Sequence, residues 1–203
     1  MIPHLDILTI EQPGSSSILK NQSESVSFPL HAENQALILA MKDKLYQLGG
    51  VGLAAPQVGH NKKIIAIYIP EEAALLREHV KPYPMHILIN PSYKIWKDSP
   101  TVHDFEGCYS VTSKAGKVPR YQTIRLTYQD ENGQSHTTNE SGFYARVLQH
   151  EIDHLNGLLI TDRLTPDCLQ GSVEDMMAIR RKELSPEQQE QFDKIMRKKF
   201  NRT

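Results

Sequence analysis

The chain has 203 residues, 39% of them apolar and 23% charged, and its 23 Lys and Arg against 24 Asp and Glu leave a formal charge of −1. A chain of this length allows one large domain, or at a stretch two small ones, and can bury roughly 70% of its extended surface, so it needs no disulfide or metal merely to fold. Collagen-like, disordered and disulfide-scaffold classes are excluded, whole-surface binding to nucleic acid or acidic membrane is disfavoured while a local basic patch stays open, and the longest apolar run, Ile64–Ile69, falls far short of the ~20 residues that span a bilayer.

Residues 11–27 are rich in Ser, Gln and Asn and are predicted as an irregular arm. Asp6 and Glu11 stand where a signal peptide needs an apolar core, so no export signal is expected, and Cys108 and Cys168 are read as reduced thiols or metal ligands. Ala36, Leu37, Ala40, Met41, Leu45 and Leu48 follow a helical period, and Gly49-Gly50 stops that helix. The segment Gly50–Gly59 holds too many glycines for a helix. Ile64–Ile69 and His86–Ile89 are predicted as buried strands, with a short helical or looped insertion over 71–83 between them. Tyr93–Trp96, Asp104–Val111 and Thr123–Tyr128 are further strands, and Asp130-Glu131-Asn132-Gly133 is a hairpin turn. A second helix is predicted over Gly142–Leu155, with Ser141 as N-cap and Asn156-Gly157 as its left-handed stop. Asp162–Asp167 is loop-like. Ser185, Pro186 and Gln188 then start a terminal helix with an apolar stripe of Phe192, Ile195, Met196 and Phe200. This order predicts an α+β fold with mainly antiparallel sheet.

The sharpest motif is His150-Glu151-Ile152-Asp153-His154. Four residues of helix bring the chain back to one face, so the two imidazoles project about 6 Å apart along the axis and can grip one ion. Glu151, beside the first ligand, is placed to take a proton from water as a general base. The alternative is a solvated charged face. Leu148, Ile152 and Leu155 put this helix partly in a core, where two histidines and a glutamate rarely point inward without a purpose. A catalytic site needs a third ligand and an open position. Both Cys108 and Cys168 are candidates against an alternative as inert thiols, and Gly107 favours Cys108 only slightly by permitting close backbone approach.

Gly50-Val51-Gly52-Leu53-Ala54-Ala55 formally fits a dinucleotide fingerprint, but a helix precedes it and Pro56, Gly59 and a strand follow, which is the wrong context. What remains is a glycine-permitted turn, or an exposed backbone edge that pairs with an extended peptide, with Gln57 as a nearby amide donor.

Taken in order, Gly50–Gln57, Glu106-Gly107-Cys108-Tyr109-Ser110 and Gln149–Gly157 resemble the signature motifs of the peptide deformylase family. The resemblance covers residues 5–165. It implies a catalytic domain over 1–165, with antiparallel sheets packed around a central metal-binding helix. Residues 166–203 would be a C-terminal extension ending in a helix, not an independent domain. It further implies that Cys108, His150 and His154 hold one divalent ion, Fe²⁺ in the cell, with Zn²⁺, Ni²⁺ or Co²⁺ able to substitute. Glu151 would serve as base and then acid, and the Gln57 side chain and Tyr109 backbone N–H as the oxyanion hole. Substrate-binding positions would be Val51, Gly52, Leu53, Glu106, Gly107, Phe143 and Val147, with Arg120 bracing Glu106. The implied reaction removes the formyl group from the formylmethionine of nascent polypeptides, in a monomer of the bacterial cytoplasm with no DNA or membrane partner.

This chain departs from the family pattern at Tyr109, usually leucine, at Thr112, usually proline, and at Ala115, where some members carry a basic residue that Lys114 here adjoins. Its 71–83 insertion is longer than in compact members. Other readings are a zincin-type metalloprotease, which takes its third ligand downstream, a binding module with a structural metal, and a deformylase-like protein of altered substrate. Residues 194–203 carry five cations and no acid. They suit either a solvated helix end or, as the resemblance suggests, contact with ribosomal RNA.

Overall fold

The computed structural model describes residues 3–77 and 80–200. The arm holds one helical turn, α1 (Ser16–Leu19), and is otherwise irregular. Helix α2 (Ala32–Leu48) ends at Gly49, whose φ of 62° is the left-handed conformation that glycine adopts at least cost. The glycine-rich segment then makes a short strand, β1 (Gly52–Ala54), and a 3₁₀ turn over Ala55–Val58. Strand β2 (Ile64–Ile69) follows, and the insertion begins with a single helical turn, α3 (Glu71–Ala74).

The two strands expected at 86–89 and 93–96 are one strand, β3 (Tyr83–Ile95). The register shifts between Ile89 and Ser92, and Asn90 sits at φ 50°, so a local irregularity breaks the alternation without ending the strand. Likewise Asp104–Val111 is not one strand. Strand β4 (Thr101–Cys108) turns at Tyr109-Ser110 into β5 (Val111–Tyr121), which the sequence did not suggest because Gly116 and Pro119 interrupt its pattern. Pro119 is tolerated because β5 pairs there on one side only, with β4; β8 (Gln170–Gly171) reaches only Ala115 and Gly116. Strands β6 (Thr123–Gln129) and β7 (Ser135–Ser141) form the expected hairpin.

Helix α4 (Gly142–Leu155) has the expected bounds. Ser141 stands at its N-cap, but its hydroxyl bonds Thr123 Oγ1 at 2.9 Å and caps no backbone N–H. Gly157 takes a φ of 71°. The expected loop at 162–167 starts as a helical turn, α5 (Ile160–Arg163), and two helices close the chain, α6 (Val173–Glu183), which was not foreseen, and α7 (Pro186–Phe200).

The strands make two antiparallel sheets, one ordered β1-β2-β3-β6-β7 and one ordered β4-β5-β8. Strand β2 is buried on both faces, which is why it reads as an unbroken apolar run. Ile64 and Ala66 face a core with Leu37, Ile38, Met41 and Leu45 of α2. Ile65, Ile67 and Ile69 face a second core with Leu148, Ile152 and Leu155 of α4. Helix α4 thus lies between the sheets, and Gln149 pins it to the end of β5 by accepting from the Tyr121 N–H at 3.0 Å and donating to its carbonyl at 2.8 Å. The C-terminal residues pack onto the same body: β8 pairs with β5, and Met176 of α6 packs with Phe105 and Ala115.

Candidate metal centre

The helical spacing of His150 and His154 puts their ring centroids 5.1 Å apart. The β4–β5 turn carries Cys108 to them, with Sγ 3.4 Å from His154 Nε2. Donor atoms of the three residues lie within 4.8 Å of one another. Cys168 does not join them. It is buried against Thr165, whose hydroxyl lies 3.3 Å from its sulfur. Among the described residues the group therefore offers three donors, the number that leaves a position open.

The donor chemistry fits a divalent ion. Burial first, and then the His150 charge, hold His154 well below its usual pKa, in the neutral form that ligates. His150 Nδ1 lies 2.9 Å from Glu106 Oε2, which fixes the ring and leaves its other nitrogen for the site. Glu106 in turn accepts from Arg120 at 3.0 Å through both oxygens and from Arg146 at 2.8 Å. Burial opposes the Glu106 charge, but Arg120 and His150 prevail and hold it well below the usual carboxylate range. Arg120 also bonds Asp153, which Arg163 clamps from the other side at 2.6 and 3.0 Å. Arg120 thus braces the motif helix and the cysteine strand together. Arg146, Asp153 and Arg163 were not singled out from sequence, although Arg146 lies four residues before His150 and Asp153 three after, both at helical spacing.

Glu151 is 4% exposed, and its Oε2 is buried without a partner among the described residues. Burial raises its pKa to about 7, against the lowering effect of His150. The expected exposed edge is a correction of degree: β1 is the last strand of its sheet, pairing only with β2, yet its residues are buried. Gly52 explains the closeness, because a Cβ there would lie 2.5 Å from Glu151 Oε1. Leu53 turns its side chain into the α2 core, so only its backbone can serve the site.

Gln57 is oriented by its own backbone. Its Oε1 accepts from Ala54 N–H at 2.9 Å, which turns Nε2 toward Ser110 Oγ at 3.3 Å and Cys108 Sγ at 3.7 Å. Tyr109 lays its ring over Gly50 and donates its hydroxyl to the Leu48 carbonyl at 3.3 Å. Val51, Phe143 and Val147 pack in the α4 core, whereas Gly107 is exposed. Ala115 is small because Met176 and Gly171 occupy its side, and Lys114 is held by Gln170 at 3.0 Å. Thr112 keeps a backbone N–H that donates to Glu11 at 3.0 Å, which a proline lacks.

Comparison with known proteins agrees with this geometry. The model of the polypeptide deformylase family matches residues 4–170. Peptide deformylase 2 of Rickettsia conorii is 36% identical over 92% of this chain and 94% of its own length. A peptide deformylase of Chlorobaculum tepidum is 41% identical over 64% of this chain and 66% of its own length. The fold superposes on a class I type b peptide deformylase of Acinetobacter baumannii bound to Met-Ala-Ser, with a TM-score of 0.69, 29% identity and coverage of 81% of this chain and 100% of that one. The same enzyme bound to actinonin gives a TM-score of 0.67 at 28% identity, covering 80% and 99%. A thiol and two imidazoles converging beside a buried glutamate, on a chain matched over most of its length, have one common explanation: this chain belongs to the polypeptide deformylase family, metal-dependent hydrolases that release formate from N-formyl peptides.

Proposed function

We propose that Cys108, His150 and His154 hold one divalent ion, Fe²⁺ in the cell, and that Glu151 moves the protons of deformylation on nascent formylmethionyl polypeptides. The observation that carries this reading is the unpartnered, buried Glu151 carboxylate beside a three-donor group. An ion held by these three residues would supply Lewis acidity and bring a bound water toward deprotonation near neutral pH. Glu151 takes the proton of the attacking water and passes it to the departing amine as the C–N bond breaks. The Gln57 amide and Tyr109 backbone N–H receive the developing oxyanion, a contribution of roughly 3 kcal/mol for one donor in comparable sites. The free side of β1 at Val51–Leu53 holds the peptide as an added strand, and Phe143 and Val147 receive the methionine side chain.

Two competing readings lose support. A zincin takes its third ligand after the motif, whereas here the third donor is upstream and Cys168 stands apart. A closed structural site would show a fourth donor, and among the described residues the group has three. We extend the proposal to a catalytic unit over 1–165 with 166–203 as its extension, acting as a monomer in the bacterial cytoplasm.

Formate release from formyl-Met-Ala-Ser by metal-loaded protein tests the activity, with non-formylated peptide as control. Glu151→Gln is expected to keep one metal per chain and lose at least about 1000-fold in kcat; retained turnover in that metal-replete variant overturns the assignment. Iron-loaded protein is expected to lose activity in air while nickel-loaded protein keeps it, and equal decay of both rejects iron.

A further inference from the structure

A cleft of about 370 Å³ opens beside the first turn of α4, lined by Arg77 of the insertion, Arg146 of α4 and Arg180 of α6. Two of these guanidinium groups are engaged. Arg146 donates to Glu106 at 2.8 Å and to the carbonyls of Val118 at 2.8 Å and Val102 at 2.6 Å. Arg77 bonds Asp104, donates to the Phe105 carbonyl at 3.0 Å and lies 4.5 Å above the Phe143 ring. Arg180 has no hydrogen bond or ion pair among the described residues, and its guanidinium carbon lies over the Phe192 ring of α7, 5.8 Å from its centre. The carboxylates lining the cleft do not answer it: Asp104 is taken by Arg77, and Glu183 by Lys117 at 3.0 Å. Burial alone pushes the Arg180 pKa down. Burial, then the charges of Arg180 and Arg146, bring Arg77 to about 9 against the opposing Glu106. The cleft thus carries a half-buried planar cation that, among the described residues, meets the Phe192 ring but no carboxylate, and its fork of donors suits a carboxylate or phosphate.

The position gives the cleft a role. Phe143, Val147, His150 and His154 succeed one another at helical spacing along α4, so the cleft at Phe143 and Arg146 continues the face that bears the metal donors. We propose that Arg180, with the positive charge of Arg77 beside it, forms an oxyanion subsite that takes a carboxylate-sized group, either free in solution or borne by an acidic side chain of the bound peptide. Both arginines come from segments outside the three motifs. The anion site stands apart from the deformylase reading; only its use by a peptide side chain rests on that reading.

The test uses zinc-loaded full-length protein at fixed ionic strength. Acetate and inorganic phosphate are titrated while the arginine Nε–Hε resonances are followed. The Arg180 signal is expected to shift and saturate at millimolar anion. In Arg180→Gln the shifts of neighbouring Phe143 and Arg77 are expected to need at least tenfold more anion, and Arg180→Lys to fall between. In parallel, KM is compared for formyl-Met-Ala-Ser and for peptides with Asp or Glu in the second or third place. A severalfold lower KM for an acidic peptide, lost in Arg180→Gln with kcat for the neutral peptide unchanged, assigns the subsite to substrate. Saturable anion binding without that preference assigns it to a free anion. Anion shifts that persist in a protein inactive on every formyl peptide uphold the subsite and reject the deformylase reading. Arg180→Gln that matches wild type in both arms, or that loses turnover of the neutral peptide, overturns the proposal.

Discussion

At the scale of single residues, the site is set by which side chain lies against which backbone. Gly52 has no steric alternative, because a methyl group there would press on the Glu151 carboxylate. Gly52→Ala is therefore expected to fold and bind metal but to lose about 100-fold in kcat, the cost of displacing a catalytic group by about 1 Å. Metal analysis and steady-state kinetics check this, and unchanged kcat would show that Glu151 has room to move. The two thiols divide in the same way. Cys108→Ser is expected to shed its metal on dialysis, since a hydroxyl is a poor substitute for a thiolate. Cys168→Ser keeps its Thr165 neighbour and is expected to keep both metal and turnover. Metal retained by Cys108→Ser but lost by Cys168→Ser would reverse the ligand choice. Tyr109 shows how a departure from the family pattern is absorbed: its ring fits because residue 50 is glycine, and its hydroxyl finds the Leu48 carbonyl at the end of α2.

At the scale of elements, the central helix is held by two kinds of force. Its apolar side packs on β2 and β6 through Leu148, Ile152 and Leu155. Its polar side is fixed by Gln149 and by the Glu106–Arg120–Asp153 network. Taking those charges out of water is offset only while every partner stays in place, so removing one costs more than the set contributes. Helix α7 is held more lightly. Phe192 is buried at 4% exposure, and Arg181 of α6 forks onto Asp193 at 2.8 and 2.9 Å. The hydrogen bond from Arg181 lowers the Asp193 pKa. A carboxyl depressed on folding stabilises the fold above its unfolded pKa of about 3.9 and loses that contribution as pH falls through its folded value. Amide exchange in α7 is therefore expected to quicken as pH drops below about 4, once corrected for intrinsic rates, and to quicken at neutral pH in Asp193→Asn. If α7 stayed as protected in the variant as in wild type, Phe192 alone would be its anchor.

At the scale of the whole molecule, the C-terminal residues are both wall and surface. Helix α6 closes the arginine cleft and packs on β4 and β5, whereas α7 turns Lys194, Arg197 and Lys198 to solvent. Lys194 is partly answered by Glu190 at 2.8 Å, and the cations at 199 and 202 lie outside the described side chains. Removing residues 186–203 is expected to leave turnover of short neutral formyl peptides within about twofold, because among the described residues α7 packs on α6 rather than on the metal donors. It is also expected to weaken ribosome co-sedimentation at low salt, where phosphate contacts count most. Equal co-sedimentation of both forms would make the cations a solvated helix end.

The sequence by itself determined what local spacing can encode. The histidine pair and Glu151 follow from helical geometry, the doubly buried β2 from its unbroken apolar run, and the ends of α2 and α4 from their glycines. The motif triplet was legible as a family resemblance, and it pointed to Cys108 over Cys168 where residue chemistry scarcely distinguished them. The tertiary structure decided everything that depends on separation along the chain. Strand β5 became visible only through its pairing with β4, because sheet pairing tolerates an interrupted pattern when a neighbour supplies the ladder. Arg146, Asp153 and Arg163 became site residues only once folding brought Glu106 and Arg120 to them, since an ion pair leaves no trace in the sequence of either partner. Arg180, looking ordinary in a charged helix, acquired meaning because α6 packs on β4 and β5 beside the first turn of α4, where burial turns a charge without an ion pair among the described residues from a neutral surface feature into an energetic demand for a partner.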